Sequence, residues 1–328
     1  MPRSPVVLVI ATFRLLTAQT FPTHSVDVQL DFSPRTSLST WKSGYLPKFS
    51  RPIGGGKPTV WMLDKNGATT IAETEIWFPD ASHVEVEDVT ADSLGNLYAS
   101  VEAWSGDGRG TGAICRVSQG KPILVIRTDD FLTEALAVSK SGEIWAFGLP
   151  IVLQATRRVS LNYETLWRFD SSGRVIGKLL PRAEFGEDVI PTHVFGDVGG
   201  PHLWATGTRI GLFSATASRW IEYDAKTGAK VVDVPVAPPV AADGVKAAIG
   251  NLVMTDSANR VFAFVAYRHS DASHVSQLCE LDKTSGRWVP VPRASQEFNG
   301  LCGADGDSLV LRAGTKTFGW FSTGAPAK

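Results

Sequence analysis

LWRFDSSGRV, residues Leu166–Val175, decides the fold. Two short runs with apolar residues flank a polar turn carrying Gly173, the pattern of two strands joined as a hairpin. Near copies recur: VWMLDKNGAT from Val60, ICRVSQGKP from Ile114, WIEYDAKTGAKV from Trp220 and LCELDKTSGRWV from Leu278. Their turn glycines, Gly67, Gly120, Gly173, Gly228 and Gly286, stand 53, 53, 55 and 58 residues apart. A strand-built repeat of that length predicts an all-β fold, a β-propeller.

A second hairpin precedes each of these. EDVTADSLGNLYAS (Glu87–Ser100) matches EALAVSKSGEIWAF (Glu134–Phe147). Looser copies are HVFGDVGGPHLWAT (His193–Thr206), NLVMTDSANRVFAF (Asn251–Phe264) and NGLCGADGDSLVLR (Asn299–Arg312). Gly95, Gly142 and Asn259 share one turn position, where Gly and Asn tolerate the positive φ of a tight hairpin. In the last copy the turn shifts to Gly306. Two hairpins make one four-stranded blade. The blades expected are 79–128, 129–181, 186–236 and 243–292, with partial units at 37–78 and 296–323. The last unit lacks an outer strand, and SVDVQLDF (Ser25–Phe32) can supply it from the N-terminal side, which removes an open sheet edge. This gives six four-stranded blades in a single domain, 19–328, with five or seven left open by the ill-defined first unit.

The first residues differ. Arg3 precedes the apolar run Val6–Leu16, and Ala18 offers a small residue for cleavage, so 1–18 reads as a candidate signal peptide. With that segment the protein is secreted or periplasmic; without it, cytoplasmic. No stretch reaches the length of a membrane span. Of 328 residues, 43% are hydrophobic and 20% charged, the composition of a soluble globular protein. The net charge of −1 and the lack of a long basic run argue against nucleic acid or an anionic membrane as main partner. Cys115 and Cys279 fall where other hairpins carry Trp61, Trp167 and Ile221, so both read as packing positions rather than disulfide partners. Cys302, in another strand, is expected to be buried too. Trp61, Trp145, Trp167 and Trp204 occupy strand positions that pack blade on blade.

Candidate chemistry comes from aligning the inner hairpins on Tyr98, Trp145, Trp204, Phe262 and Val310. Eleven residues earlier stand Glu87, Glu134, His193, Asn251 and Asn299. The first strand of a propeller blade lines the central channel, so these five converge on its mouth as candidate ligand-binding and metal residues. The oxygen ligands suit Ca²⁺ or Mg²⁺, and the imidazole shifts preference toward Mn²⁺ or Zn²⁺. A plain polar rim remains the alternative. Paired carboxylates can also raise one another's pKa, which makes Glu87 or Glu134 a candidate general acid or base. His83, Glu85 and Glu87 alternate and share a strand face, most simply a solvated one. His269 and His274 fit no zinc spacing. Gly54–Pro58 lacks the spacing of a phosphate loop, and no GxSxG elbow occurs. Ser105–Gly112 has a calcium-loop look only in Asp107 and its glycines. Ala103–Gly112, Gly148–Tyr163 and Arg268–Val275 read as long insertions between second and third strands.

VTADSLGNLYAS and LAVSKSGEIWAF resemble the repeats of NHL and regucalcin/gluconolactonase-like six-bladed propellers. The resemblance implies a divalent metal on the axis, held by Glu, Asn and Asp side chains, and lactone hydrolysis. Glu87 or Glu134 with Asn251 and Asn299 would play that part, although the aligned register carries no Asp. The leading expectation is an exported propeller that binds a small molecule or a protein partner on its channel face. The alternatives are a metal-dependent hydrolase of the lactonase type and an interaction module without a site.

Overall fold

A computed structural model describes residues 24–27, 41–42, 44–50, 58–66, 69–74, 77–129, 131–150, 162–186, 202–239, 247–268, 274–291, 298–314 and 317–323. The candidate signal peptide and His193 lie outside them. The chain opens with β1 (His24–Asp27), β2 (Trp41–Lys42), β3 (Tyr45–Ser50), β4 (Thr59–Asp64) and β5 (Thr69–Glu73). Then come β6 (His83–Ala91), β7 (Leu97–Trp104), β8 (Gly110–Ser118) and β9 (Lys121–Asp129). β10 (Phe131–Val138), β11 (Ile144–Pro150), β12 (Glu164–Phe169) and β13 (Val175–Pro181) follow. After these are β14 (His202–Ala205), β15 (Arg209–Ser214), β16 (Arg219–Asp224) and β17 (Lys230–Pro235). The last are β18 (Ala247–Met254), β19 (Val261–Arg268), β20 (His274–Asp282), β21 (Arg287–Pro290), β22 (Phe298–Asp305), β23 (Ser308–Ala313) and β24 (Thr317–Ser322).

The opening stretch is the β12–β13 hairpin, and its turn shows why the repeat carries Asp and Gly. The Asp170 carboxylate accepts the backbone N–H groups of Ser172 and Arg174, each at 3.0 Å. Gly173 then takes φ +89°, a conformation that costs a side-chain-bearing residue but not glycine. Asp224 caps the β16–β17 turn through the N–H of Thr227 at 2.8 Å, and Asp282 the β20–β21 turn through Thr284 at 2.9 Å. In the inner hairpins Gly95, Gly142 and Asn259 have φ of +80°, +81° and +50°, as the alignment expects.

Four antiparallel meanders, β6–β9, β10–β13, β14–β17 and β18–β21, form four-stranded sheets. The remaining strands form one eight-stranded sheet in the order β1-β24-β23-β22-β2-β3-β4-β5. The propeller therefore has five hydrogen-bonded blades, not the six expected. The reason is a short parallel pairing of β2 with β22, Trp41 opposite Gly303 and Lys42 opposite Ala304, which merges the first and last units. β1 pairs antiparallel with β24, Ser25 opposite Gly319, and covers the outer edge of the last unit. The Ala103–Gly112 stretch is not a loose insertion: β7 and β8 stay paired out to Trp104 opposite Gly110, around a tight turn. There Asp107 is taken up by Ser105 and Arg109 and does not resemble a calcium loop.

Apolar residues fill the spaces between blades. Trp145 and Trp220 have no exposed surface, and Trp167 stacks on Phe131 of the same blade at 4.4 Å. Polar clamps add direction to this packing. Arg168 of β12 holds Glu143 with a bidentate contact and donates to the carbonyls of Ala225 and Lys226 in the next blade, at 3.2 and 2.7 Å. Cys115, Cys279 and Cys302 are buried and unbridged, and burial pushes the Cys115 thiol up to about 12. Among the described residues no helix is long and apolar enough to cross a membrane.

Candidate functional site

The first strands of the blades meet at the hub, where four of the five inner ladders are interrupted among the described residues. The β6–β7 register slips between Val86 and Asp88, leaving Glu87 as an extra residue. The β10–β11 register slips between Thr133 and Ala135, at Glu134. The β18–β19 register slips between Ile249 and Leu252, around Asn251, and the β22–β23 register between Phe298 and Gly300, at Asn299. Glu87, Glu134, Asn251 and Asn299, four of the five residues aligned from sequence, thus fall at the bulges of their strands. A bulge lifts a residue out of the ladder and re-aims its side chain, so that position does not pack into the blade and tolerates polarity.

The described members of this set differ in their surroundings. Asn251 donates to the Leu301 carbonyl of the neighbouring first strand at 2.8 Å, a structural stitch. Asn299 is described in its backbone only. Glu134 does not belong to the carboxylate cluster that Glu87 joins.

Three hub residues were not singled out in the sequence. Lys42 of β2 reaches across the hub to the carbonyls of Leu136 in β10 and Leu203 in β14, at 3.5 and 3.3 Å, with its ammonium 5.0 Å from the Trp204 ring. Asp88, one residue past Glu87, accepts the Leu136 N–H at 2.7 Å. Burial pushes the Asp88 carboxyl up and the Lys42 ammonium down, each opposed by the other's charge. His202 is held down to about 4 by burial and by Lys42, so it is neutral at physiological pH. Asp88 is an acidic residue at the hub that the gap-free register missed by one position. Lys42 lies in a two-residue strand outside any visible repeat.

Glu87 joins Glu85 and Glu102 instead: one carboxylate oxygen of each lies within 4.8 Å of the others. Glu85 and Glu102 are directly opposite in the β6–β7 ladder, and the bulge brings Glu87 beside them. Like charges in that relation repel. Glu102 is only 2% exposed, and its Oε1 has no hydrogen-bond partner. Burial first, then the charges of Glu87 and Glu85, raise its carboxyl to about 7.

That shift carries a stability prediction. Below the ordinary value of 4.5 Glu102 is protonated folded or unfolded, so it costs nothing. As pH rises from 4.5 toward about 7 the unfolded chain releases a proton that the folded chain keeps, and stability falls. Discounted for solvent screening, the loss above pH 7 is ~1–3 kcal/mol. With a chelator present, Glu102→Gln should be more stable than the parent by that amount at pH 8 and equal to it at pH 4. Urea unfolding at the two pH values measures this, and parity at pH 8 would refute it.

Trp104 also forms part of a cleft of about 190 Å³ where β6 begins, lined by Trp77, Phe78, Trp104, Thr111, Arg109 and Arg127 among others. The Trp77 indole N–H is buried without an acceptor. Arg127 and Arg109 line it with one acid, Asp80; Arg109 is paired with Asp107, so Arg127 is the cation the cleft offers a ligand with negative charge.

No family model matches the chain, and no curated protein matches it. Solved structures show distant likeness. A Bacteroides caccae protein of unknown function has a TM-score of 0.44 and 10% identity, over 79% of this chain and 81% of that one. The β-propeller domain of Myceliophteria thermophila Cps50 (Swd1) has a TM-score of 0.42 and 12% identity, over 92% of this chain and all of that one. A chain from a study of two prolyl endopeptidases has a TM-score of 0.42 and 13% identity over 76% of this chain, which spans only 33% of that longer one. What this chain shares with them is at most the fold.

Proposed function

We propose that the protein is a soluble, exported binding propeller whose working side is the one where the first strands begin. The observation that carries this is the cleft beside β6, which combines aromatic walls with the guanidinium of Arg127. A small cavity of that make-up suits a planar ring bearing an acid group, stacked on an aromatic wall and held by a charge-assisted hydrogen bond. The probe is 1-naphthoate, followed by quenching of tryptophan fluorescence. Saturable binding that Arg127→Gln weakens by about tenfold or more, with 1-naphthalenemethanol binding poorly, is the expected result. Absence of saturation, or an Arg127→Gln protein that binds equally, overturns the reading. Export rests on the Val6–Leu16 run and the small residue Ala18, and an intact mass beginning at Gln19 would establish it.

The hydrolase reading is favoured by one observation, a Glu102 carboxyl raised to about 7, the range of a general base. Its burial sets it second, because a base must reach the proton it takes.

A further inference from the structure

We propose that Glu85, Glu87 and Glu102 bind a hard divalent cation of the Ca²⁺ class, at a site within one blade rather than on the propeller axis. The cross-strand register fixes two of the three carboxylates opposite each other, and the bulge supplies the third. Their oxygens lie within 4.8 Å of one another. Two oxygens on opposite sides of a Ca²⁺ ion, each at about 2.3–2.6 Å, are about 4.6–5.2 Å apart, so one ion can span the set.

The second observation is the burial of Glu102. A carboxylate removed from water, with one oxygen lacking any donor, is costly unless a proton or a cation compensates it. No cationic side chain is paired with Glu102 or Glu85 among the described residues. Gly110 leaves the room that Glu102 occupies: a Cβ there would stand 2.9 Å from Oε1. The donor set is all oxygen, with no imidazole or thiolate, which selects Ca²⁺ or Mg²⁺ over Zn²⁺. Three carboxylates supply up to about six oxygens if bidentate, and water completes the shell, so the site asks for a large cation with flexible coordination.

Trp104 supplies the readout, because its ring lies beside the Glu102 carboxylate: both stand within 3.3 Å of where a Gly110 Cβ would be. Tb³⁺ is a luminescent stand-in for Ca²⁺ that is excited through a nearby indole. Full-length protein stripped with EDTA should give sensitised Tb³⁺ emission that Ca²⁺ displaces. Trp104→Phe should lose most of that emission while Ca²⁺ binding by calorimetry stays. Glu102→Gln should weaken Ca²⁺ binding by about tenfold or more, and the Glu85→Gln/Glu87→Gln pair should abolish it. Glu102→Gln is expected to fold, since it removes a buried charge, so a loss of binding there is not a loss of structure. No binding at millimolar Ca²⁺, or binding unchanged in both carboxamide variants, overturns the proposal. Neither outcome bears on the 1-naphthoate cleft, which is read with a different probe and a different residue.

Discussion

Lys42→Met is expected to destabilise the protein by about 2 kcal/mol, the range for leaving buried acceptors and a nearby buried charge without the group that compensates them. The figure stays below that of a broken contact ion pair because Lys42 bonds the carbonyls of Leu136 and Leu203 rather than Asp88 itself. The variant strands the Asp88 carboxylate in the hub with its compensating charge removed, and it takes the donor from the Leu136 and Leu203 carbonyls. Asp88→Asn on its own leaves the reverse imbalance. The double variant, Lys42→Met with Asp88→Asn, should recover half or more of the loss, since the amide can still accept the Leu136 N–H now held by Asp88 at 2.7 Å. Equilibrium unfolding in urea, with an unchanged slope, measures all three. A single-variant loss under about 1 kcal/mol would mean that water screens the hub as well as it screens a surface pair.

Gly303→Ala should be comparably damaging, at about 3 kcal/mol, through a different cause. Gly303 stands where β22 pairs with β2, and an added Cβ would lie 2.3 Å from the Trp41 carbonyl oxygen and 2.5 Å from the Trp41 nitrogen. Those are backbone atoms, so no side-chain rotation relieves the overlap, and the parallel pairing must part. Hydrogen exchange should rise at Trp41–Lys42 before it rises in the four central blades. Gly106→Ala is the control: nothing lies within 4 Å of its added Cβ, and the change should stay within about 0.5 kcal/mol. Equal effects of the two substitutions would show that the seam contributes nothing special.

Much of the fold was legible because turns carry their own chemistry. Asp170 with Gly173, Asp224 with Gly228 and Asp282 with Gly286 mark the outer turns, each glycine at positive φ. The four central blades fall close to where the repeat puts them. The blade count failed because what fuses the first and last units is local and silent. β2 is a two-residue strand, and Gly303 reads as any glycine until Trp41 is seen against it. The candidate site was half legible for a related reason. A gap-free alignment found four bulged positions because those bulges recur at one place in the repeat. It could not show that a bulge at Glu87 makes Glu85, Glu87 and Glu102 neighbours, or that Asp88 rather than Glu87 answers Lys42. Those relations depend on register between strands, and a one-residue slip exchanges the two faces.

The pairings of β1 with β24 and of β2 with β22 set an order on synthesis. Residues 24–42 leave the ribosome well before their partners, residues 303–320, with the four central blades made in between. The middle of the disc can assemble on the nascent chain, while its two flanks wait with open strand edges. That interval is where a chaperone would be needed and where misassembly would begin.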